Sequence, residues 1–141
     1  NVISVLLGDY AQTASFDSFL IKRYNTISND VARMQGRRFI SAVEAEGERR
    51  LAEVLIKQLT GGDTITARFL FGEFFEFQPQ FKLWLAANHK PTIKGTDHAI
   101  WRRIKLIPFD ITIPEEEQDK KLIEKLKGEL PGILTWAVKG V

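Results

Sequence analysis

Residues 38–46 read RFISAVEAE, and this segment sets the architecture that the rest of the chain can adopt. A nearly continuous apolar run that ends in acids is typical of a strand buried on both faces of a parallel α/β sheet. Similar strands are predicted over residues 81–87, which end at Asn88, and over residues 103–109. The sequence therefore predicts an α/β fold in which polar side chains follow buried strands at one edge of the sheet.

Hydrophobic spacing predicts helices and one hairpin between these strands. A helix over residues 51–59 places its apolar side chains on one face and stops at Gly61-Gly62. A Phe-rich hairpin is predicted to turn at Gly72 and Glu73. The other predicted elements are a helix over residues 2–7, a short strand over 10–14, helical segments over 16–23 and 28–36, and two C-terminal helices over 115–130 and 131–140.

Composition excludes several classes of protein. The 141 residues carry 20 Lys and Arg, 18 Asp and Glu, and 44% hydrophobic residues, as expected for one globular domain over residues 1–141 with a formal charge of +2. The chain has no cysteine, which excludes disulfides and a thiol nucleophile and fits a cytoplasmic location. No apolar run reaches the roughly 18 residues of a membrane span, so no membrane partner is expected.

Acids at the carboxyl edge of a parallel sheet have two interpretations. Glu44 and Glu46 can hold Mg²⁺ or orient a water molecule, and Asn88 can hydrogen-bond a water molecule and a phosphate oxygen. Alternatively, the acids simply end a strand in solvent and Asn88 belongs to a turn. Taken singly, these residues leave both interpretations open.

Basic residues outside the sheet edge also have two interpretations. Arg102 and Arg103, between an amphipathic segment and a strand, can stabilise charge on the phosphate of a neighbouring subunit or be ordinary surface residues. Arg68, beside several phenylalanines, can help to stack single-stranded bases, although a Phe-rich hairpin more often belongs to a core.

Four segments in a fixed order give these residues a common context. They are Ala32-Arg33 with Gly36-Arg37-Arg38, KQLTGGDTITAR at residues 57–68, FEFQPQFKLWLAANHKP at 75–91, and GTDHAIWRRIKLIPF at 95–109. Together they resemble the superfamily 3 helicase domain of phage and plasmid primase-helicases, a family that includes the poxvirus primase-helicase. The resemblance implies a three-layer, AAA+-like P-loop NTPase sheet with C-terminal helices. It also implies a DNA helicase that hydrolyses ATP, assembles into a hexameric ring and translocates on single-stranded DNA.

The resemblance also assigns roles to residues. Glu44 matches the Walker B acid that positions Mg²⁺ or water, with Glu46 as a second acid. Asn88 matches the sensor-1 residue that contacts the γ-phosphate of ATP. Arg102 and Arg103 lie where an arginine finger acting on the neighbouring subunit is expected, and Arg103 is preferred.

The same resemblance implies contacts with single-stranded DNA. Lys57 and Asp63 fall in the family's B′ segment, and Gly72 with Glu73 matches the tip of a DNA-tracking hairpin. Relatives often carry a basic residue where this chain has Gly72. Together with Arg68 on the hairpin, the matched positions give four expected DNA-binding residues: Lys57, Arg68, Gly72 and Glu73.

One element of the family pattern is missing. GxxxxGKS/T, the loop whose backbone N–H groups, Lys and Ser/Thr bind phosphates and Mg²⁺, does not occur in the sequence. We therefore expect an incomplete sheet without the phosphate-loop strand, and a chain that begins just after that loop. We also expect the chain to be a C-terminal helicase fragment. By itself it should hydrolyse no ATP, because ATP and Mg²⁺ are bound by the complete domain, which includes this loop. The alternative is a non-catalytic oligomerisation or DNA-binding module derived from such a helicase.

Overall fold

A computed structural model describes residues 1–21, 29–44, 50–95 and 98–140, and the chain divides into two compact units. The larger unit comprises residues 9–105, and the smaller one combines residues 1–8 with residues 106–141. Each unit is described separately below. The expectation of one domain over residues 1–141 stays a prediction.

A three-stranded parallel sheet organises the larger unit. Its strands are β1 (Ala11–Thr13), β2 (Phe39–Val43) and β5 (Lys82–Ala86), and β2 lies between the other two. Ile40 is in register with Gln12 on one side and with Leu83 on the other. The mixed α/β class and two of the predicted strands are therefore confirmed. The buried character predicted for the second of them is wrong, since no residue of β5 is buried and Trp84 is 47% exposed. The assignment to a P-loop NTPase sheet stays a prediction.

The core of the larger unit lies mainly against one face of β2. Ile40 and Ala42 on that face are buried, whereas on the other face Phe39 is buried and Val43 is 68% exposed. The largest fully buried side chains come from five separate segments: Phe19, Met34, Ile40, Leu59 and Ile100. Burial of such side chains is the main favourable term in folding, so this core holds the sheet in place.

Three short helices belong to the larger unit, and the first two of them match predicted helices. These are α2 (Asn29–Arg33), α3 (Glu53–Gly61) and α4 (His98–Trp101), and a 3₁₀ turn spans Phe16–Phe19. Helix α3 buries Ile56 and Leu59 and ends at Gly62, whose φ of 85° lies in the left-handed region that favours glycine. The predicted start of the second helix at Ser28 lies outside the described residues, as do residues 22 and 23 of the predicted segment over 16–23.

The predicted Phe-rich hairpin is confirmed. Strands β3 (Ile65–Arg68) and β4 (Phe74–Phe77) pair antiparallel, and Arg68 lies opposite Phe74. Residues 69–73 form the connecting loop, so the turn contains Gly72 and Glu73 as expected. At the base of the hairpin, the Gln78 side-chain amide donates a 2.7 Å hydrogen bond to the Gly62 carbonyl and joins the hairpin to the end of α3.

The strand predicted over residues 103–109 is wrong. Residues 102 and 103 form a turn after α4, and residues 104–114 have no strand partner within the described part of the chain. Leu106, Ile107 and Phe109 are exposed. An apolar run becomes a strand only where a neighbouring backbone pairs with it, and the described residues supply no such neighbour.

Three helices form the smaller unit. Helix α1 (Val2–Leu7) begins at Asn1, whose side chain accepts hydrogen bonds from the Ile3 and Ser4 N–H groups. It packs against α5 (Leu122–Gly128) and α6 (Leu130–Lys139), the two predicted C-terminal helices. Glu115–Glu117 forms a separate 3₁₀ turn and not the start of α5. Among the helices of the described residues, none is long and apolar enough to cross a membrane.

The start of α5 is expected to depend on pH through Asp119. Its carboxylate accepts hydrogen bonds from the Lys125 ammonium at 2.6 Å and from the Lys121 N–H at 2.9 Å, and these hold the pKa of Asp119 below its usual 3.8. A lowered folded-state pKa means that the stabilisation is present above pH 3.8 and is lost as pH falls through the folded value. Amide NMR should show the Lys121 signal shifting on acidification, and Asp119→Asn should remove that transition. A Lys121 signal that titrates identically in both chains would contradict this role for Asp119.

Candidate functional site

The carboxyl edge of the three-stranded sheet brings together two of the predicted site residues. Strands β2 and β5 run parallel and are hydrogen-bonded neighbours, so both end at the same edge. Glu44 directly follows β2, and its N–H donates a 2.8 Å hydrogen bond to the Ala86 carbonyl at the end of β5. Asn88 follows two residues after Ala86, which places it in the turn beside Glu44.

A direct contact links the Glu44 carboxylate to that turn. The His89 N–H donates to Glu44 Oε2 at 3.4 Å, so the carboxylate lies against the residue next to Asn88. Glu44 is half-buried and Asn88 is exposed, which leaves carboxylate and amide oxygens open to a ligand. Oxygen atoms of this kind are the ligands that Mg²⁺ prefers. Glu46 lies among residues 45–49, outside the described residues.

The loop after Asn88 is held by a residue that sequence reasoning missed. Glu53, in the first turn of α3, accepts hydrogen bonds from the Lys94 N–H at 2.9 Å and the Gly95 N–H at 3.0 Å. Its only sequence signal was an acid in the first turn of a helix, a position that the helix dipole favours in any case. Glu53 precedes Lys94 by 41 positions and Gly95 by 42 positions, so local spacing could not have predicted these contacts.

The two candidate arginines differ in their surroundings. Arg102 is exposed, whereas Arg103 is half-buried and its Nη1 donates to the Ala99 carbonyl at 2.6 Å. The other terminal nitrogen of Arg103 packs beside Gly61, where an added Cβ would lie 3.4 Å from it. Within the described residues, no hydrogen bond or ion pair joins either arginine to Glu44 or Asn88. Arg102 is therefore the guanidinium that is open to another molecule.

The hairpin carries a second group of predicted residues and an exposed aromatic tip. The Arg68 guanidinium lies over the Phe74 ring at 5.0 Å, and the Phe69 and Phe75 rings stack at 5.4 Å. Phe71 is 99% exposed and has a φ of 61°, a left-handed backbone conformation that is uncommon for a bulky residue. Gly72 and Glu73 adjoin Phe71, whereas Lys57 lies on α3 and is not part of the hairpin.

The remaining candidate features do not add a site. A shallow depression of about 440 Å³ in the smaller unit is lined by Gly128, Glu129, Pro131, Gly132, Ile133 and Trp136, and it contains none of the predicted site residues. Across the described parts of the chain, no group of three or more His, Asp or Glu residues could enclose a metal ion. Among the described residues, a divalent cation beside Glu44 would therefore lack a complete set of carboxylate and imidazole ligands.

The chain is similar to proteins of large DNA viruses that have helicase names. It is 37% identical over 139 residues to "Putative helicase L207/L206" of Acanthamoeba polyphaga mimivirus, across 96% of this chain and 14% of that protein. It is 33% identical over 87 residues to "Putative helicase 022R" of Frog virus 3, across 59% of this chain and 9% of that protein. It is 35% identical over 80 residues to "Putative helicase 184R" of Invertebrate iridescent virus 6, across 54% of this chain and 8% of that protein. No protein-family model matches the chain.

The comparisons relate the chain to one kind of protein. It is similar to a segment of viral proteins with helicase names, and it spans 14% or less of the length of those three relatives. The relationship and the mixed α/β fold agree with a helicase-derived fragment that contains a P-loop-like parallel sheet.

Proposed function

We propose that this chain is the C-terminal part of a superfamily 3 helicase domain that couples ATP hydrolysis to movement on single-stranded DNA. The observation that supports this most is the position of Glu44 and Asn88 at the same edge of two paired parallel strands, with the Glu44 carboxylate touching the His89 N–H. In open α/β sheets this carboxyl edge is where ligands bind. The helicase names of the viral relatives point in the same direction.

Glu44 and Asn88 have separate roles in this proposal. The half-buried Glu44 carboxylate holds Mg²⁺ or orients the attacking water, and Glu46 is the second acid. The Asn88 amide contacts the γ-phosphate through its N–H₂ group. MgATP, when bound, would supply the phosphoryl group and Mg²⁺ would neutralise part of the phosphate charge, while the protein would contribute position and electrostatics.

The residues of this chain fit only one end of the nucleotide. A carboxylate and an amide suit the cation and the terminal phosphate, but no GxxxxGKS/T segment is present to surround the phosphates with N–H donors. We propose that this loop and its strand belong to polypeptide outside these 141 residues. Strand β5 lies at the end of the strand order, where one more strand can pair with it.

Arg102 is proposed as the finger that acts on a neighbouring subunit. Arg102 is exposed, whereas Arg103 is bonded within its own unit at the Ala99 carbonyl. An exposed guanidinium can reach a phosphate on another subunit without first breaking an internal hydrogen bond. This choice reverses the preference for Arg103 drawn from the sequence, and it requires a ring of subunits, which we propose to be a hexamer.

The hairpin is proposed as the contact with single-stranded DNA. Arg68 over the Phe74 ring and the exposed Phe71 provide a cation and an aromatic face, the two groups on which unpaired bases stack. Gly72 and Glu73 shape the tip, and Lys57 on α3 adds a positive charge outside the hairpin. The acid Glu73 opposes binding to phosphate, so we expect stacking to contribute more than charge at this tip.

Phe71→Ala is expected to weaken binding of single-stranded DNA by about tenfold, because one aromatic stack is lost. Affinity should be measured by fluorescence anisotropy with a labelled oligonucleotide at several salt concentrations. The matched control is Phe109→Ala, since Phe109 is 92% exposed and belongs to the smaller unit. Equal affinities for the Phe71→Ala, Phe109→Ala and unchanged chains would contradict the hairpin contact.

A second candidate is a non-catalytic module that assembles or binds DNA without ATP. The missing phosphate loop favours it, because Glu44 and Asn88 alone cannot enclose a nucleotide. Reading the coding sequence upstream of the Asn1 codon separates the two proposals. An in-frame GxxxxGKS/T segment there supports the helicase domain, and a stop codon or an unrelated sequence supports the module.

A further inference from the structure

The Glu53 carboxylate connects three segments of the larger unit. Its side chain is only 13% exposed, and Oε1 accepts the N–H groups of both Lys94 and Gly95. Arg50 Nη2 lies 4.0 Å from the same oxygen. Hydrogen bonds to an ionised acceptor are about twice as strong as those between neutral groups, so this contact restrains the loop after Asn88.

Gly95 connects the restrained loop to α4. The Glu53 carboxylate occupies the space where a Cβ of residue 95 would lie, so only glycine fits there while Glu53 keeps its position. The Gly95 carbonyl also accepts a 2.9 Å hydrogen bond from Trp101 Nε1 at the end of α4. Glu53, Gly95 and Trp101 therefore form a continuous connection that ends at the residue before Arg102.

We propose that Glu53 is a positioning residue that fixes the direction in which α4 presents Arg102. The relevance of Arg102 to catalysis rests on the proposed function, but its position can be measured without any nucleotide. Glu53 contacts no reacting group in this proposal and acts through Gly95 and Trp101 alone. Without its carboxylate, the loop over residues 92–95 loses its charged acceptor. Ile100 still anchors α4 in the core, but the end of the helix that carries Trp101 and Arg102 is held less firmly.

The test uses the whole chain, which has no cysteine of its own. Spin labels on Lys82→Cys and Arg102→Cys report the distance between β5 and the end of α4, since both positions are exposed. We expect a narrow distance distribution when Glu53 is present and a clearly broader one in Glu53→Ala. Glu53→Gln retains one carbonyl acceptor and should give an intermediate width, whereas Glu76→Gln, an exposed strand residue, should leave the width unchanged.

Amide hydrogen exchange provides the second measurement. Exchange at Lys94 and Gly95 should be about tenfold faster or more in Glu53→Ala, since both N–H groups lose a charged acceptor. The Glu44 and Lys82 N–H groups, which bond to the Ala86 and Arg38 carbonyls, should keep their protection and thereby exclude general unfolding. If Glu53→Ala does not fold, both measurements use Gly95→Ala instead, because the added Cβ displaces the same carboxylate.

The outcomes separate this proposal from the proposed function. Unchanged distance width with unchanged exchange at Lys94 and Gly95 would overturn the positioning role of Glu53. A broad distribution in Glu53→Ala would support that role even if the chain proved to bind no nucleotide and Arg102 contacted no phosphate.

Discussion

Replacing Ile40 with alanine is expected to destabilise the larger unit by about 2–5 kcal/mol, the usual cost of removing a large buried aliphatic side chain. Ile40 is fully buried within β2 and lies in register with both neighbouring strands. Strand β2 cannot repack easily, because it is fixed by hydrogen bonds on both of its edges. The lost side chain therefore leaves a cavity instead of a collapsed core.

Urea denaturation followed by circular dichroism measures this effect. Val43→Ala provides a control within the same strand, since Val43 is 68% exposed and should cost well under about 1 kcal/mol. Because Glu44 follows the strand directly, partial unfolding in Ile40→Ala should also disturb the Glu44 carboxylate. Similar denaturation midpoints for the two variants would contradict the central position of β2 in the core.

Glu44→Gln is expected to reduce ATP hydrolysis by about 100-fold or more, the effect of losing an acid that positions the attacking water or the cation. The substitution keeps the volume and the oxygen that accepts the His89 N–H, so folding should not change. The experiment requires a polypeptide that joins this chain to the phosphate-binding loop of the complete domain. Hydrolysis is followed by phosphate release at saturating MgATP.

The control for that experiment is Glu76→Gln. Glu76 is an exposed acid on β4, and its replacement makes the same change of charge away from the sheet edge. An equal rate for Glu44→Gln and Glu76→Gln would remove Glu44 from the proposed catalytic group. A loss confined to Glu44→Gln, with unchanged thermal unfolding, would support its role.

Strands β2 and β5 could be predicted from sequence because each is a short run of mostly apolar residues. The run from Phe39 to Val43 and the run after Phe81 are apolar at nearly every position, and each ends in a polar residue. The parallel pairing then places Glu44 near Asn88 without further information. This part of the candidate site follows from periodicity and sheet geometry alone.

Other features could not be predicted because they depend on contacts between distant segments. Residues 103–109 have the same apolar character as β5, yet apolar character does not show whether a pairing strand exists. Glu53 acts on a loop more than 40 positions away. Arg102 and Arg103 are adjacent and chemically identical, and they differ only in their surroundings: Arg103 is half-buried beside Gly61 and bonded to the Ala99 carbonyl, whereas Arg102 is exposed.

The MgATP hydrolysis rate of the purified 141-residue chain tests most directly whether the nucleotide site is divided between this chain and other polypeptide. We expect no hydrolysis above background, because Glu44 and Asn88 lack a phosphate-binding loop beside them. Joining the chain to that loop should restore turnover. A catalytically competent rate from the 141 residues alone would contradict the proposal.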